Sequence, residues 1–156
     1  MKIAITRKGG RYRLSCYRAD GSSTSADVGP SLPHHDLCHF MVERRFGLAR
    51  GFFGNIAAGR AIAELGEKEV ILSLPPEALQ AEILARALGS LATGACRAGQ
   101  FGELVNAELS QWKISEIAIA PEEAVTLLDE LDGLLDQLGA LEDGESLALE
   151  FEPGAA

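Results

Sequence analysis

Residues 1–18 read MKIAITRKGGRYRLSCYR, in which apolar and polar side chains alternate on either side of two glycines. Two sets of apolar residues share a face within these runs: Ile3 with Ile5, and Tyr12 with Leu14 and Cys16. A period of two residues is typical of a half-buried strand, and a glycine pair between two such runs is a turn signal. This stretch therefore predicts a β-hairpin, and the rest of the fold can be built outward from it.

Two further segments extend the predicted sheet. Asp20-Gly21 is a second hairpin signal, so the Ser/Thr-rich residues 22–28 predict a third and weaker strand. Near the other end of the sequence, residues 146–152 alternate again, with leucine and phenylalanine on one face. We expect this late strand to join the amino-terminal three-strand meander in one four-stranded antiparallel sheet.

The sequence between these two sheet segments is helical in character. Glycine and proline signals predict helices over residues 35–47, 51–60, 77–96 and 101–114, and a last helix that opens at Pro121. Residues 70–74 are a short apolar run that is either a strand or the lead-in to the next helix. The prediction is an α+β fold with four or five helices on one face of the sheet, in a single domain over residues 1–156.

The last predicted helix carries a stripe of leucines at alternating spacings of four and three residues. Its members are Leu127, Leu131, Leu134, Leu138 and Leu141. Such a stripe is typical of a helix face that packs on a core, and it is also the pattern of a helix that pairs with another chain. We favour the core and keep a homodimer or partner surface as the alternative.

Charge and cysteine content limit the partners and the location. The net charge is −9, yet residues 1–60 carry ten basic and four acidic residues, while residues 61–156 carry four basic and nineteen acidic ones. We expect the early basic groups to be solvated or paired with acidic helices, and we expect no nucleic-acid partner because the overall field repels a polyanion. Three widely spaced cysteines, no apolar leader and no membrane-length apolar run predict a cytoplasmic protein.

The segment His35-Asp36-Leu37-Cys38-His39, with Glu43 one turn later, gathers the groups best suited to hold a metal or move a proton. In a helix, His35 and His39 lie on one face, so both imidazoles can reach one ion of zinc or another divalent transition metal. Glu43 lies roughly 12 Å along the axis from His35, too far to bind that ion. A third ligand must therefore come from a distant Asp, Glu or Cys, because a catalytic zinc usually takes three protein ligands.

Two other candidate roles belong to the acids of this segment. Asp36 is placed to orient or deprotonate a metal-bound water, and Glu43 to anchor an imidazole from behind, so both are candidate catalytic residues. A competing interpretation makes Asp36 the N-cap of the helix, its carboxylate accepting a backbone N–H. In that case His35 lies outside the helix, the shared face disappears, and no metal or other cofactor is expected.

Residues 32–43, LPHHDLCHFMVE, together with Gly51-Phe52-Phe53-Gly54, resemble a small family of uncharacterised bacterial proteins with a Pro-His-Asp-Leu-x-His-x-x-Val-Glu signature. The resemblance implies a bacterial source and supplies no mechanism. The doubled histidine of this chain leaves open whether His34 or His35 takes the role of the first signature histidine. The pair of histidines four residues apart also resembles the H-E-x-x-H motif of zinc metalloproteases, with Asp36 in place of the glutamate.

From the sequence we expect an uncharacterised cytoplasmic bacterial protein that acts as a non-catalytic binding or interaction domain. Its partner would be a protein or a small molecule met by the basic sheet or by the acidic leucine-rich helix. The alternative is a metal-binding protein, or a metal-dependent hydrolase, built on the helix that carries His35 and His39.

Overall fold

The fold was analysed on a computed structural model, which describes residues 1–29 and 31–154. Across these residues it contains four strands, which are β1 (Lys2–Lys8), β2 (Arg11–Tyr17), β3 (Ser23–Val28) and β4 (Ser146–Glu150). They form one sheet in the order β3-β2-β1-β4, with every neighbouring pair antiparallel. The predicted α+β fold and its sheet of an amino-terminal meander plus a carboxy-terminal strand are confirmed.

The register of the sheet brings the apolar members of each strand to one face. Ile5 lies opposite Leu14 of β2 and opposite Leu147 of β4, and Ile3 lies opposite Cys16. All five side chains are buried. One face of the sheet is therefore the floor of the core, as the period of two residues predicts.

The described residues also contain six α-helices. They are α1 (Leu32–Arg45), α2 (Phe52–Ala57), α3 (Lys68–Ser73), α4 (Pro76–Ala92), α5 (Ala98–Gln111) and α6 (Pro121–Ala140), with a 3₁₀ turn at Ala63–Gly66. There is one helix more than the predicted four or five, because residues 70–73 of the apolar run belong to the short helix α3. A segment of that length gives periodicity too little room to separate a helix from a strand.

The helices place their apolar faces on the sheet and on one another. Helix α1 packs along α4, α4 along α5, and α6 against α1, α4 and α5. In the leucine stripe of α6, Leu127, Leu131 and Leu138 are buried, and Leu134 is partly buried against the same core. The stripe is therefore part of the intrachain core, and a homodimer that uses it stays an untested prediction.

Ion pairs connect the acidic helix α6 with the basic end of α1. Arg44 lies 3.2 Å from Glu130, and Arg45 lies 2.8 Å from Glu123. Opposite charges of the two halves of the sequence thus meet within one fold. In the part of the chain that the structure describes, no helix combines the length and apolar character needed to cross a lipid bilayer.

Burial of the cysteines predicts slow thiol chemistry in the folded protein. Cys16 and Cys38 are both buried free thiols, and burial raises the pKa of each to about 12. We expect iodoacetamide at about pH 8 to label them more than about 100-fold slower in native than in guanidinium-unfolded protein. Peptide mass spectrometry measures both rates, and equal native and unfolded labelling would contradict this packing.

Candidate functional site

The site is built on α1, which begins earlier than the sequence suggests. Leu32 is its first residue and Pro33 lies in its first turn, where a missing N–H costs nothing. Asp36 is therefore inside the helix, and its interpretation as the N-cap is wrong. His35 and His39 consequently lie on successive turns of one helix, with ring centroids 4.8 Å apart at a right angle.

The imidazoles of His35 and His39 converge on one carboxylate of the neighbouring helix α4. Glu82 Oε2 lies 3.3 Å from Nε2 of His35 and 3.0 Å from Nε2 of His39. The potential ligand atoms of the three residues all lie within 4.8 Å of one another. We call this group the His35/His39/Glu82 cluster.

Glu43 holds His39 from the opposite side of the ring. Its Oε1 lies 3.1 Å from Nδ1 of His39, and its Oε2 accepts a hydrogen bond of 3.1 Å from the backbone N–H of Gly54. The Glu43 side chain has no exposed area. Both oxygens are thus engaged within the protein, so Glu43 is suited to orient the imidazole and is not available to react in a pocket.

Glycines make room for this carboxylate. Gly51, which precedes α2, is buried, and a Cβ placed on it would overlap Cγ and Cδ of Glu43. A Cβ on Gly54 would overlap the backbone carbonyl of Ala49. The two glycines of the Gly-Phe-Phe-Gly sequence are thus explained by the close approach of Glu43 to Gly51 and of the Ala49 carbonyl to Gly54.

Asp36, the other candidate catalytic acid, is 9% exposed and is not among the residues that line the pocket described below. Within the described residues its Oδ2 has no hydrogen-bond partner. Burial raises the pKa of Asp36 to about 6, although the nearby His39 and His35 oppose the rise. No proton transfer by Asp36 follows from this position, and a catalytic role for it stays a prediction.

Two opposing effects set the charge of the cluster. Burial alone lowers the pKa of His39, but its hydrogen bonds and charge interactions with Glu43 and Glu82 outweigh burial and raise this pKa to about 9. Burial alone raises the pKa of Glu82, but the bonds to His35 and His39 hold it well below its ordinary value. Without a metal, His39 is therefore a protonated imidazole between two carboxylates.

A pocket of about 720 Å³ opens beside the cluster. Its polar lining consists of His39 and Glu82, and every other lining residue is apolar. These are Phe52, Leu65, Ile71, Leu72, Leu74, Pro75, Pro76, Ala78, Leu79, Trp112 and Ile114. A largely apolar pocket with a few converging polar groups is the usual form of a small-molecule site.

Glu82 and the pocket were not identified from the sequence. The sequence requires a distant acid as third ligand but offers nineteen acids after residue 60. Glu82 is followed by Arg86 four residues later, which is the pattern of an ordinary surface pair on a helix, and their side chains are 3.5 Å apart. His34, the other histidine of the doubled pair, is exposed, so the structure brings His35 rather than His34 to Glu82.

Neither a family model, nor a curated protein, nor a solved structure matches this chain. The resemblance of residues 32–43 to a bacterial signature therefore stays a prediction. The geometry of the cluster and of the pocket is what supports a function.

Replacement of Gly51 tests the packing around Glu43. Gly51→Ala forces a Cβ into the Glu43 carboxylate, which cannot move without leaving His39 or Gly54. We expect a loss of roughly 1–3 kcal/mol in the free energy of unfolding, typical of overpacking, measured by urea denaturation.

Gly133→Ala is the matched control. Gly133 lies within α6 with no atom near the position of a Cβ. Alanine is the better helix former there, so we expect a gain of about 0.5–1 kcal/mol. Equal stability of the Gly51 variant and the original protein would contradict the position of Glu43.

Proposed function

We propose that this protein binds one divalent transition-metal ion through His35, His39 and Glu82. The single observation that carries the proposal is the convergence of two imidazole Nε2 atoms on one oxygen of Glu82. At zinc–ligand distances of about 2.0–2.1 Å, two ligand atoms of a tetrahedral site are about 3.3 Å apart. The separations of 3.3 and 3.0 Å between Glu82 and the two imidazoles are close to that spacing, and because the three ligand atoms together span up to 4.8 Å, the imidazoles would have to close in around an ion.

The surroundings of His39 support the same proposal. A ligating histidine usually donates its second N–H to a carboxylate or carbonyl, which sets the tautomer and ring orientation. Glu43 supplies that partner at Nδ1 and is itself fixed by Gly54. This arrangement leaves the lone pair at Nε2 directed toward Glu82, where a metal ion would lie.

The composition of the cluster favours a site with open coordination positions. Structural zinc sites close around four protein ligands, whereas three ligands leave a place for water or a small molecule. Two histidines with one carboxylate are also a ligand set of non-haem iron sites. Because His39 and Glu82 line the pocket, the open positions would face its interior.

A non-catalytic binding role fits the acids better than hydrolysis does. A metal-dependent hydrolase needs a base beside the metal-bound water. Glu43 has both oxygens occupied, and Asp36 is not among the pocket-lining residues. We therefore propose a metal centre for ligand binding, in a reducing cytoplasm that agrees with three buried free cysteines.

One competing explanation makes the cluster an ion pair without a metal. A protonated His39 between Glu43 and Glu82 satisfies both of its nitrogens and needs no ion. Stability measurements alone would not distinguish the two, because loss of either partner destabilises a buried pair. The test must therefore follow the metal itself.

The decisive measurement is the metal content and Co²⁺ spectrum of untagged protein. We expect one Zn²⁺ or Co²⁺ per chain after loading and removal of excess ion, and Co²⁺ absorption of a site with nitrogen and oxygen ligands. His35→Ala and Glu82→Gln should each weaken binding at least about 100-fold, more than is typical of a residue behind a ligand. Both side chains are about 40% exposed, so the variants should fold, with Glu82→Gln less stable because it removes one partner of the buried His39.

Two further variants provide an intermediate case and a control. Glu43→Gln keeps the shape of the side chain but weakens its hold on His39, so we expect about 10–100-fold weaker binding. His34→Ala removes an exposed histidine of the same helix and should leave binding unchanged. If the original protein binds no stoichiometric ion, or if His35→Ala binds the ion as tightly as the original protein does, the cluster is an ion pair and the proposal is wrong.

A further inference from the structure

We propose that the pocket beside the cluster binds an aliphatic monocarboxylate, with its apolar chain between α4 and Trp112 and its carboxylate on the metal. This inference rests on the proposed metal centre, since the metal would supply the attraction for the carboxylate. The apolar part of the inference rests separately on the pocket. The two parts therefore have separate measurements.

The walls of the pocket determine the body of the ligand. Phe52 from α2, Leu79 from α4, and Trp112 with Ile114 beyond α5 present carbon surfaces toward one space. Among the lining residues that the structure describes, His39 and Glu82 are the ones with ionisable side chains, and the others are aliphatic or aromatic. A molecule with polar groups along its length would lose hydrogen bonds with water and regain few of them from these walls, so a ligand that is apolar except at one end fits best.

The cluster determines that polar end. A divalent ion with two neutral imidazoles and one carboxylate has a first coordination sphere of charge +1, so a monoanionic oxygen donor neutralises it. In the metal-free state the two carboxylates around His39 repel an anion. The preference for a carboxylate should therefore appear with the metal and disappear without it.

The size of the pocket allows a medium-length chain. About 720 Å³ lies within the usual range for small-molecule sites, and roughly 30 Å³ per non-hydrogen atom is the share of a liquid water molecule. A carboxylate of about ten carbons therefore fits with room to spare. The exposed Leu72 lies at the pocket, so the apolar lining continues to the surface where such a chain could enter.

Trp112 provides a direct reporter of occupancy. It is the single tryptophan of the chain, lines the pocket and is 59% exposed. A tight turn holds it in place, since Lys113 adopts a left-handed φ of 57° and the N–H of Ile114 donates to Leu109. A chain that displaces water from the indole shifts its emission to the blue, whether or not a metal is present.

The experiment titrates the metal-loaded full chain with hexanoate, octanoate and decanoate while Trp112 emission is recorded. Burial of each added methylene should tighten binding about fourfold, until the pocket is filled. Decanol shares the chain but lacks the carboxylate, so we expect it to bind at least about tenfold more weakly. In His35→Ala protein without metal, decanoate should lose this advantage over decanol.

A pair of surface variants tests the location. Leu72→Glu places a charge in the lining at a position that is 76% exposed, so it should abolish the decanoate response without unfolding the chain. Leu104→Glu changes another exposed leucine, on α5 and not among the pocket-lining residues, and should bind decanoate like the original protein. Equal binding by both variants would overturn the proposed location.

The remaining outcomes separate this inference from the proposed function. If the metal binds but no member of the series shifts Trp112 emission, the ligand inference is overturned and the metal centre stands. If no metal binds, yet decanoate and decanol bind equally, the metal centre and the carboxylate preference are both overturned. A shift that does not depend on chain length would also overturn the inference.

Discussion

The bond network of Glu43 is the constraint on which the site depends. A carboxylate without exposed area is costly unless its oxygens are paired, and here each oxygen has one partner, His39 and Gly54. Its position is possible because Gly51 has no side chain. The Glu43 carboxylate thus links three features, which are the orientation of His39, the start of α2 and the absence of a Cβ at residue 51.

That network is held by regular elements rather than by mobile loops. His35, His39 and Glu43 lie on α1, and Glu82 lies on α4, which packs along α1. Helices locked by a shared core hold side chains to within the small tolerances that metal sites need. Beneath them, the hairpin of β1 and β2 supplies the buried floor. The site is therefore carried by two helices that pack on each other above the sheet.

The sequence predicts this fold well where periodicity is long and poorly where it is short. The strands and α6 extend over enough residues for their apolar patterns to be clear, so the faces that these patterns predict to be buried are buried in the structure. The start of α1 at Leu32 was predicted too late, because Pro33 belongs to its first turn and proline can end a helix as well as open one. The helix α3 has six residues, too few for a pattern.

The same distinction applies to the candidate site. The helical spacing of His35 and His39 is a local property, and the sequence shows it directly. The partnership with Glu82 depends on how α1 and α4 pack, which no local pattern contains. Chemically, Glu82 looks like the acid of an ordinary pair with Arg86, and only the fold brings its other oxygen to the two imidazoles.

A proton and a metal ion would use the same position in this cluster. On a protonated His39, the hydrogen at Nε2 lies between that nitrogen and Glu82, where an ion bound by both would also lie. Metal binding must therefore release that proton, and the carboxylates that stabilise the imidazolium also attract a divalent cation. Glu43 serves both states, because it accepts a hydrogen bond from Nδ1 in each. The three side chains therefore lie close together without a metal, and under the proposed function an ion would take the place of a proton between them.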